Sequence, residues 1–113
     1  MALDPEIKAK WLTDLRSGEY RQAQCHLHKD GGYCCLGVLC LSAGATFDDD
    51  GTYFENIPIL DGENIADGEN PELSSAFMRR IGLRYHEQKW LVSMNDEKNE
   101  PFAAIADYIE KNL

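Results

Sequence analysis

The apolar residues near the amino terminus recur every four positions, so they form one stripe along a helix. They are Leu3, Ile7, Trp11 and Leu15. Asp4-Pro5-Glu6 begins this helix, because an aspartate caps free backbone N–H groups and a proline suits the first helical position. Ser17-Gly18 ends it. The pattern therefore predicts an amphipathic first helix.

The following segment alternates with a period of two. Ala23, Cys25 and Leu27 fall on one side of residues 22–29, and polar side chains fall on the other. This alternation predicts a half-buried β-strand, and Asp30-Gly31-Gly32 predicts the turn after it.

Residues 33–41 form the longest apolar run of the chain and hold three of its four cysteines. The run begins Tyr33-Cys34-Cys35-Leu36-Gly37-Val38-Leu39-Cys40. Because almost every residue is apolar, periodicity does not distinguish a strand from a helix here. Gly44 is a suitable helix stop, which favours a short buried helix over about residues 35–43, entered from an extended Tyr33-Cys34.

Residues 46–70 are predicted to be an acidic loop-and-hairpin insertion. Asp48-Asp49-Asp50-Gly51 predicts a hairpin turn before a strand candidate over residues 52–54. The tetrapeptide Asp-Gly-Glu-Asn occurs at residues 61–64 and again at 67–70, which predicts two successive surface turns. We expect residues 48–70 to be the most exposed and mobile part of the domain.

Two more helices are predicted in the carboxy-terminal part of the chain. Pro71-Glu72 begins the first, and Gly82 ends it. Its apolar positions are Leu73, Phe77 and Ile81. Residues 90–94 then predict a short strand or turn. The last helix begins near Asn99-Glu100-Pro101 and buries Phe102, Ile105, Ala106 and Ile109.

These elements predict one α+β domain over residues 1–113, with three to four helices around a small antiparallel sheet. A chain of 113 residues with 43% hydrophobic residues suits one globular core. The apolar run at residues 33–41 is about half the length that a membrane span requires, and no secretory signal pattern is visible at the amino terminus. We therefore expect a cytoplasmic protein with reduced thiols.

The net charge of −9 is unevenly distributed. Ten of the 20 acidic residues, and none of the eleven basic residues, lie between Asp30 and Met78. This charge repels nucleic acid, and it also disfavours acidic partners and anionic membranes.

The thiol-rich segment allows two interpretations. If a helix begins near Cys35, its free N–H groups favour a nucleophilic thiolate at Cys34 or Cys35. A thiol enzyme also needs a histidine base, for which His86 is the candidate that follows the cysteines in the chain. Alternatively, the thiols are small apolar core residues. We expect the second arrangement, with Cys34, Cys35 and Cys40 mostly buried.

The candidate zinc ligands are Cys25, His28, Cys35 and Cys40. Zinc sites commonly use two pairs of ligands, each pair separated by two to four residues. Cys25 and His28 have that spacing but point to opposite faces of a strand, and Cys35 and Cys40 are five residues apart. We therefore expect no cofactor and no metal requirement for folding.

Arg79, Arg80 and Arg84 form the basic cluster and are the candidate residues for an anionic ligand. They allow a third interpretation, a protein that sequesters a nucleotide-like signal. Against it, the chain contains no glycine-rich phosphate loop.

Four blocks of this sequence resemble a family of small proteins encoded by phages and prophages. They are Trp11-Leu12 with Leu15-Arg16-Ser17-Gly18-Glu19-Tyr20, the run from Tyr33 to Cys40, Met94-Asn95-Asp96, and Phe102 with Ile105-Ala106-Asp107-Tyr108-Ile109-Glu110. The resemblance covers roughly two-thirds of the chain and omits the acidic middle, and Leu41 stands where the family pattern has an acidic residue. It implies a viral accessory protein in a bacterial host cytoplasm, and it carries over no catalytic residue.

The leading hypothesis is a non-enzymatic binding module, a phage accessory protein that captures or modulates a host protein or a small host molecule. The runner-up is a cysteine-dependent enzyme that uses Cys34 or Cys35. The sequence leaves the partner and the oligomeric state open.

Overall fold

The computed structural model describes residues 3–29, 31–48, 57–66 and 72–113. Within these ranges the chain forms five α-helices, one π-helix and six short strands. In chain order they are α1 (Pro5–Arg16), β1 (Arg21–Gln22), β2 (His28–Lys29), β3 (Gly32–Tyr33), α2 (Cys35–Ser42), β4 (Thr46–Asp48), β5 (Ile57–Leu60), β6 (Glu63–Asn64), α3 (Ser75–Ile81), α4 (Tyr85–Val92), the π-helix (Ser93–Glu97) and α5 (Phe102–Asn112).

The strands form two three-stranded sheets. The first has the order β1-β3-β2, in which β1 is parallel and β2 antiparallel to β3. The second has the order β4-β5-β6 and is antiparallel, with Thr46 opposite Ile59 and Ile59 opposite Asn64. The predicted α+β class is confirmed. The described residues contain five α-helices instead of three to four, and two sheets instead of one.

Helix α1 follows the prediction closely. The Asp4 carboxylate accepts hydrogen bonds from the backbone N–H groups of Glu6 and Ile7, at 2.9 and 3.2 Å. The helix ends at Arg16, and Gly18 after it has a φ of +75°. The buried Trp11 and Leu15 form the inward stripe, and α1 packs against α2 and α5.

The predicted strand over residues 22–29 is wrong, since only its two ends pair in a sheet. Between β1 and β2 the backbone bends at Cys25, which has a φ of +65° and an exposed side chain. The Asp96 carboxylate accepts a hydrogen bond from the Cys25 N–H at 2.9 Å and so holds this bend. The stabilising partner lies 71 positions away in the chain, where period-two alternation cannot reveal it.

Helix α2 is the predicted buried helix at the centre of the core. Its entry is an extended Cys34, and Ala43 follows its last residue, Ser42. The Gly44 N–H donates to Leu41 O and the Ala45 N–H to Cys40 O, at 3.0 and 2.9 Å. This pair of bonds is the Schellman arrangement, for which Gly44 supplies the left-handed φ of +98°. The prediction of Gly44 as the helix stop is confirmed.

Helix α3 ends as predicted but begins later. Ser74 is its N-cap and accepts the Phe77 N–H at 3.2 Å, while Leu73 precedes the helix and pairs with Ala66 in an isolated bridge. Gly82 ends the helix with a φ of +83°. Pro71, at which the sequence predicted the start, lies outside the described residues.

The prediction of a short strand or turn over residues 90–94 is wrong. Helix α4 occupies residues 85–92 and continues directly into the π-helix. Helix α5 is confirmed, with Phe102, Ile105, Ala106 and Ile109 buried.

The described part of the acidic middle is a hairpin. Asp61 and Gly62 connect β5 to β6 with φ values of +53° and +80°, which suits a two-residue turn. Pro58 and Ile65 on either side are buried, so this hairpin is anchored to the core. The predicted turn at residues 49–51, the strand candidate over 52–54 and the second tetrapeptide at 67–70 lie outside the described residues.

An aromatic cluster joins the two sheets. His28 of β2 stacks on Tyr33 of β3 with ring centroids 4.1 Å apart, and Phe47 of β4 lies 5.0 Å from His28. Tyr20 meets the edge of Tyr33 at 5.6 Å. These four rings are half-buried.

None of the helices in the described ranges has the length and apolar character needed to cross a bilayer.

Candidate functional site

The three clustered cysteines are sealed in the core. Cys34, Cys35 and Cys40 are at most 2% exposed, which confirms the prediction that they are buried. Burial raises the pKa of the Cys34 thiol to about 12, and it also raises the pKa of the Cys35 and Cys40 thiols. Backbone N–H groups at the start of α2 act in the opposite direction on Cys34, but loss of solvation outweighs them. At neutral pH these thiols are therefore protonated.

Cys35 has a partner for each of its polar groups. Its thiol donates to Leu91 O at 3.6 Å, its N–H to Asn95 Oδ1 at 3.3 Å, and its carbonyl accepts the Trp11 indole N–H at 2.9 Å. These bonds tie α2 to α1, α4 and the π-helix. The candidate base His86 lies on the exposed side of α4, so the structure does not assemble it with the thiol. Cys35 is therefore a structural residue of the core that connects α2 to its neighbouring helices.

Asn95 and Asp96 form a polar connection between the π-helix and the β1–β2 loop. Asn95 is 1% exposed, and its Oδ1 also accepts from Gln22 Nε2 at 2.9 Å. Its Nδ2 donates to Ala23 O and to Asp96 Oδ1, both at 2.8 Å. The π-helix allows these two consecutive side chains to meet the same loop. The hydrogen bonds with Gln22 and Ala23 and the one from the Cys35 N–H join separate segments of the chain, so the connection serves the fold.

The candidate metal ligands are dispersed. Cys25 is exposed, Cys35 and Cys40 are buried in α2, and His28 binds Gly32 O through Nδ1 at 2.7 Å while it stacks on Tyr33. In the portion of the chain that the structure describes, no three His, Cys, Asp or Glu side chains come together in a metal-binding group. That folding requires no metal stays a prediction.

The three candidate arginines differ in their partners. Arg80 pairs with Asp61 at 3.0 Å, and Arg84 pairs with Glu87 at 3.4 Å. Arg79 is exposed in the last turn of α3. Two of the three cations are therefore already paired with carboxylates of the same chain.

The outward face of α4 is the most distinctive surface of the described residues. We define it as Tyr85, His86, Lys89 and Trp90, all of which are exposed. Tyr85 and Trp90 are 55% and 41% exposed, and they are the large hydrophobic residues that the described surface exposes. Gln88 and Leu91 on the opposite side are fully buried. The helix therefore presents two aromatic rings to solvent around a lysine and a histidine.

Lysines cover part of these rings. Lys98 Nζ lies 4.1 Å from the ring centroid of Trp90, and Lys89 Nζ lies 5.6 Å from that of Tyr85. Trp90 also approaches Tyr108 of α5, with centroids 6.3 Å apart. The surface thus extends beyond α4 to the end of the π-helix and to α5.

Bonds at its start and on its inner side hold α4 in place. Glu87 Oε1 accepts the Arg84 N–H at 2.9 Å and so caps the helix. Gln88 Oε1 accepts the Leu73 N–H at 2.7 Å, and α4 packs against α2. The outward face is therefore a preformed surface.

Sequence reasoning missed this face because it interpreted residues 90–94 as a strand or turn. That interpretation places Trp90 outside any helix, although Trp90 lies on α4 with its side chain 41% exposed. One sequence signal indicates the start of α4. Glu87 lies three residues after Arg84, which is the spacing of a capping box.

The family model for a domain of unknown function (DUF8296) matches residues 3–113, and the chain therefore belongs to this family. No curated protein and no solved structure matches the chain.

Proposed function

We propose that this DUF8296 protein is a non-enzymatic binding module that captures or modulates a host protein, as a phage accessory protein in the bacterial cytoplasm. The observation that carries the proposal is the outward face of α4, with Tyr85 and Trp90 exposed. Tryptophan and tyrosine are the residues most often found at the energetic centres of protein interfaces. The viral setting is supported by the resemblance of the four sequence blocks.

The shape of the surface favours a protein over a small host molecule. Sites for small molecules are concave and enclose most of the ligand. The outward face of α4 is instead the convex side of a helix, and its rings are flanked by lysines. A partner that wraps over a convex face needs an extended surface of its own, as a protein has.

The state of the thiols supports a role without catalysis. Cys34 and Cys35 are protonated at neutral pH, because burial raises the pKa of both thiols. A thiol nucleophile needs the thiolate form and access to substrate. Binding through a preformed helix face requires neither, and it loses little conformational entropy on association.

Capture from a bacterial host extract tests the proposal. The tagged protein is recovered under native conditions and examined by native mass spectrometry, alongside Tyr85→Ala, Trp90→Ala and the control Thr13→Ala. Thr13 is an exposed residue of α1, so its truncation leaves α4 intact. We expect Trp90→Ala to weaken capture roughly thirtyfold, as for an interface residue worth about 2 kcal/mol.

Circular dichroism establishes that each variant is folded before capture is compared. Equal capture by Trp90→Ala, Tyr85→Ala and the unchanged protein would contradict the proposed use of this face. A mass increase from a bound small molecule, without any protein partner, would contradict the choice of a host protein.

A further inference from the structure

We propose that the outward face of α4 binds an acidic segment of its protein partner. This inference rests on the proposed function, because it names the chemistry of the partner that the same face receives. It starts from the charges on α4. The outward face holds Lys89 and His86 between two rings and contains no acidic residue.

The single acidic residue of α4 is already engaged. Glu87 is half-buried at the start of the helix, where its carboxylate accepts the backbone N–H and the Nε–H of Arg84. It therefore lies beside the outward face and not within it. A partner that contacts Tyr85 and Trp90 also meets the lysine ammonium groups that lie over these rings.

The lysines of this surface differ from the ion-paired cations of the described residues. Four cations of the described residues form ion pairs with carboxylates of the same chain. These are Lys10, Arg16, Arg80 and Arg84. Lys89 and Lys98 instead lie over the rings of Tyr85 and Trp90. An ammonium group held by a ring face keeps its N–H donors for other acceptors, and carboxylates are the strongest of these.

The net charge of −9 would disfavour an acidic partner if the protein acted as one charge. The charges of the protein do not act together in this way, because charges separated by more than about 8 Å are largely screened at physiological salt. The longest dimension of the molecule is 38 Å. The charges close to the outward face therefore determine which partner it attracts. The residue before Lys98 in the chain is the exposed Glu97, whose Oε2 accepts the Ser93 hydroxyl at 3.4 Å.

The size of the face favours a protein segment over nucleic acid. Eight residues of helix span about 12 Å, which matches three or four residues of an extended chain. Double-stranded DNA carries one charge per about 1.7 Å and would continue past the face onto an acidic protein. A short acidic and apolar peptide can place its carboxylates on Lys89 and Lys98 and its apolar side chains on the rings.

Fluorescence anisotropy with short labelled peptides tests the inference on the full chain. The probes are a peptide that alternates glutamate with leucine, the same peptide with glutamine for glutamate, and an oligothymidine of equal length. We expect the acidic peptide to bind most tightly and to weaken as salt is added. The double variant Lys89→Glu/Lys98→Glu should weaken it at least about tenfold. Lys29→Glu, at an exposed lysine of β2, should change it less than about twofold.

Equal binding of the acidic and glutamine peptides, or tighter binding of the oligothymidine, would overturn the inference. So would acidic-peptide binding that is unchanged in the double variant. Its failure remains distinguishable from failure of the proposed function. Suppose that Trp90→Ala loses host-protein capture while the acidic and glutamine peptides bind equally well. This outcome would support the proposed binding module and contradict the inference that its partner presents an acidic segment.

Discussion

The backbone carbonyl of Leu27 occupies the space that a side chain on Gly37 would need. A β-carbon placed on Gly37 would overlap Leu27 O and crowd the Leu27 carbonyl carbon at 2.9 Å. The same carbonyl accepts the Cys34 N–H at 3.3 Å. The glycine within the thiol-rich run therefore lets the segment before β2 lie directly on α2. This contact explains a helix-interior glycine that propensity alone would disfavour.

Gly37→Ala should destabilise the protein by about 2–3 kcal/mol, because neither backbone can move without disturbing the core. Urea unfolding monitored by circular dichroism measures the change. Gly18→Ala is the matched control. It has a φ of +75° but no heavy atom within 4 Å of the added carbon, so it should cost only about 1–2 kcal/mol from backbone strain. A Gly37→Ala variant as stable as the parent would show that the close approach is absent in solution.

Local patterns predicted α1, α2, α3 and α5, since the causes of these helices are local, but they missed α4. The four-residue spacing and Asp4 cap define α1, and Gly44 and Gly82 end α2 and α3 through left-handed backbone. The predicted strand over residues 22–29 is wrong because the structure of this segment depends on a residue far away in the chain. Their bend at Cys25 depends on Asp96, which only the tertiary fold brings near.

The candidate site was predictable only in part. Burial of the thiols followed from the nearly continuous apolar run around Cys35. The surface on α4 was not predictable from apolar spacing, because Gln88 is buried while Tyr85 and Trp90 are exposed. A buried glutamine that accepts the Leu73 N–H inverts the usual pattern of polar and apolar faces.

Asn95→Ala should destabilise the protein by about 2–4 kcal/mol. The substitution removes the acceptor of the Cys35 N–H and the donor to Ala23 O, and it leaves buried polar groups without partners. Asn112→Ala is the control, because that amide is exposed and bonds only Tyr108 O. We expect the control to change stability by less than about 0.5 kcal/mol. Similar losses in both variants, measured by urea unfolding, would contradict a structural role for Asn95.

Alkylation of the native protein should be confined to Cys25. That thiol is exposed, whereas Cys34, Cys35 and Cys40 react only after the core opens. Intact mass measured during iodoacetamide treatment at mildly alkaline pH should therefore show one rapid addition. Cys25→Ser should show none on the same timescale. Rapid addition to Cys25→Ser would reveal a second accessible thiol and would favour the cysteine-dependent enzyme, the runner-up hypothesis, over the binding module.

Stability should fall as the pH rises above about 9, because the folded protein retains thiol protons that the unfolded chain releases. Burial raises the pKa of Cys34 from 9.0 to about 12. The stability that the protonated thiol contributes is therefore fully present below pH 9 and is lost as the pH rises to 12. Between pH 9 and 10, one such thiol lowers the free energy of unfolding by about 1 kcal/mol. Cys34→Ala should reduce the stability at neutral pH but flatten this decline by that amount. Cys25→Ala, which removes an exposed thiol, is the control variant. Urea unfolding at several pH values measures each slope, and parallel declines in Cys34→Ala and the parent protein would show that Cys34 is not protected in the native state.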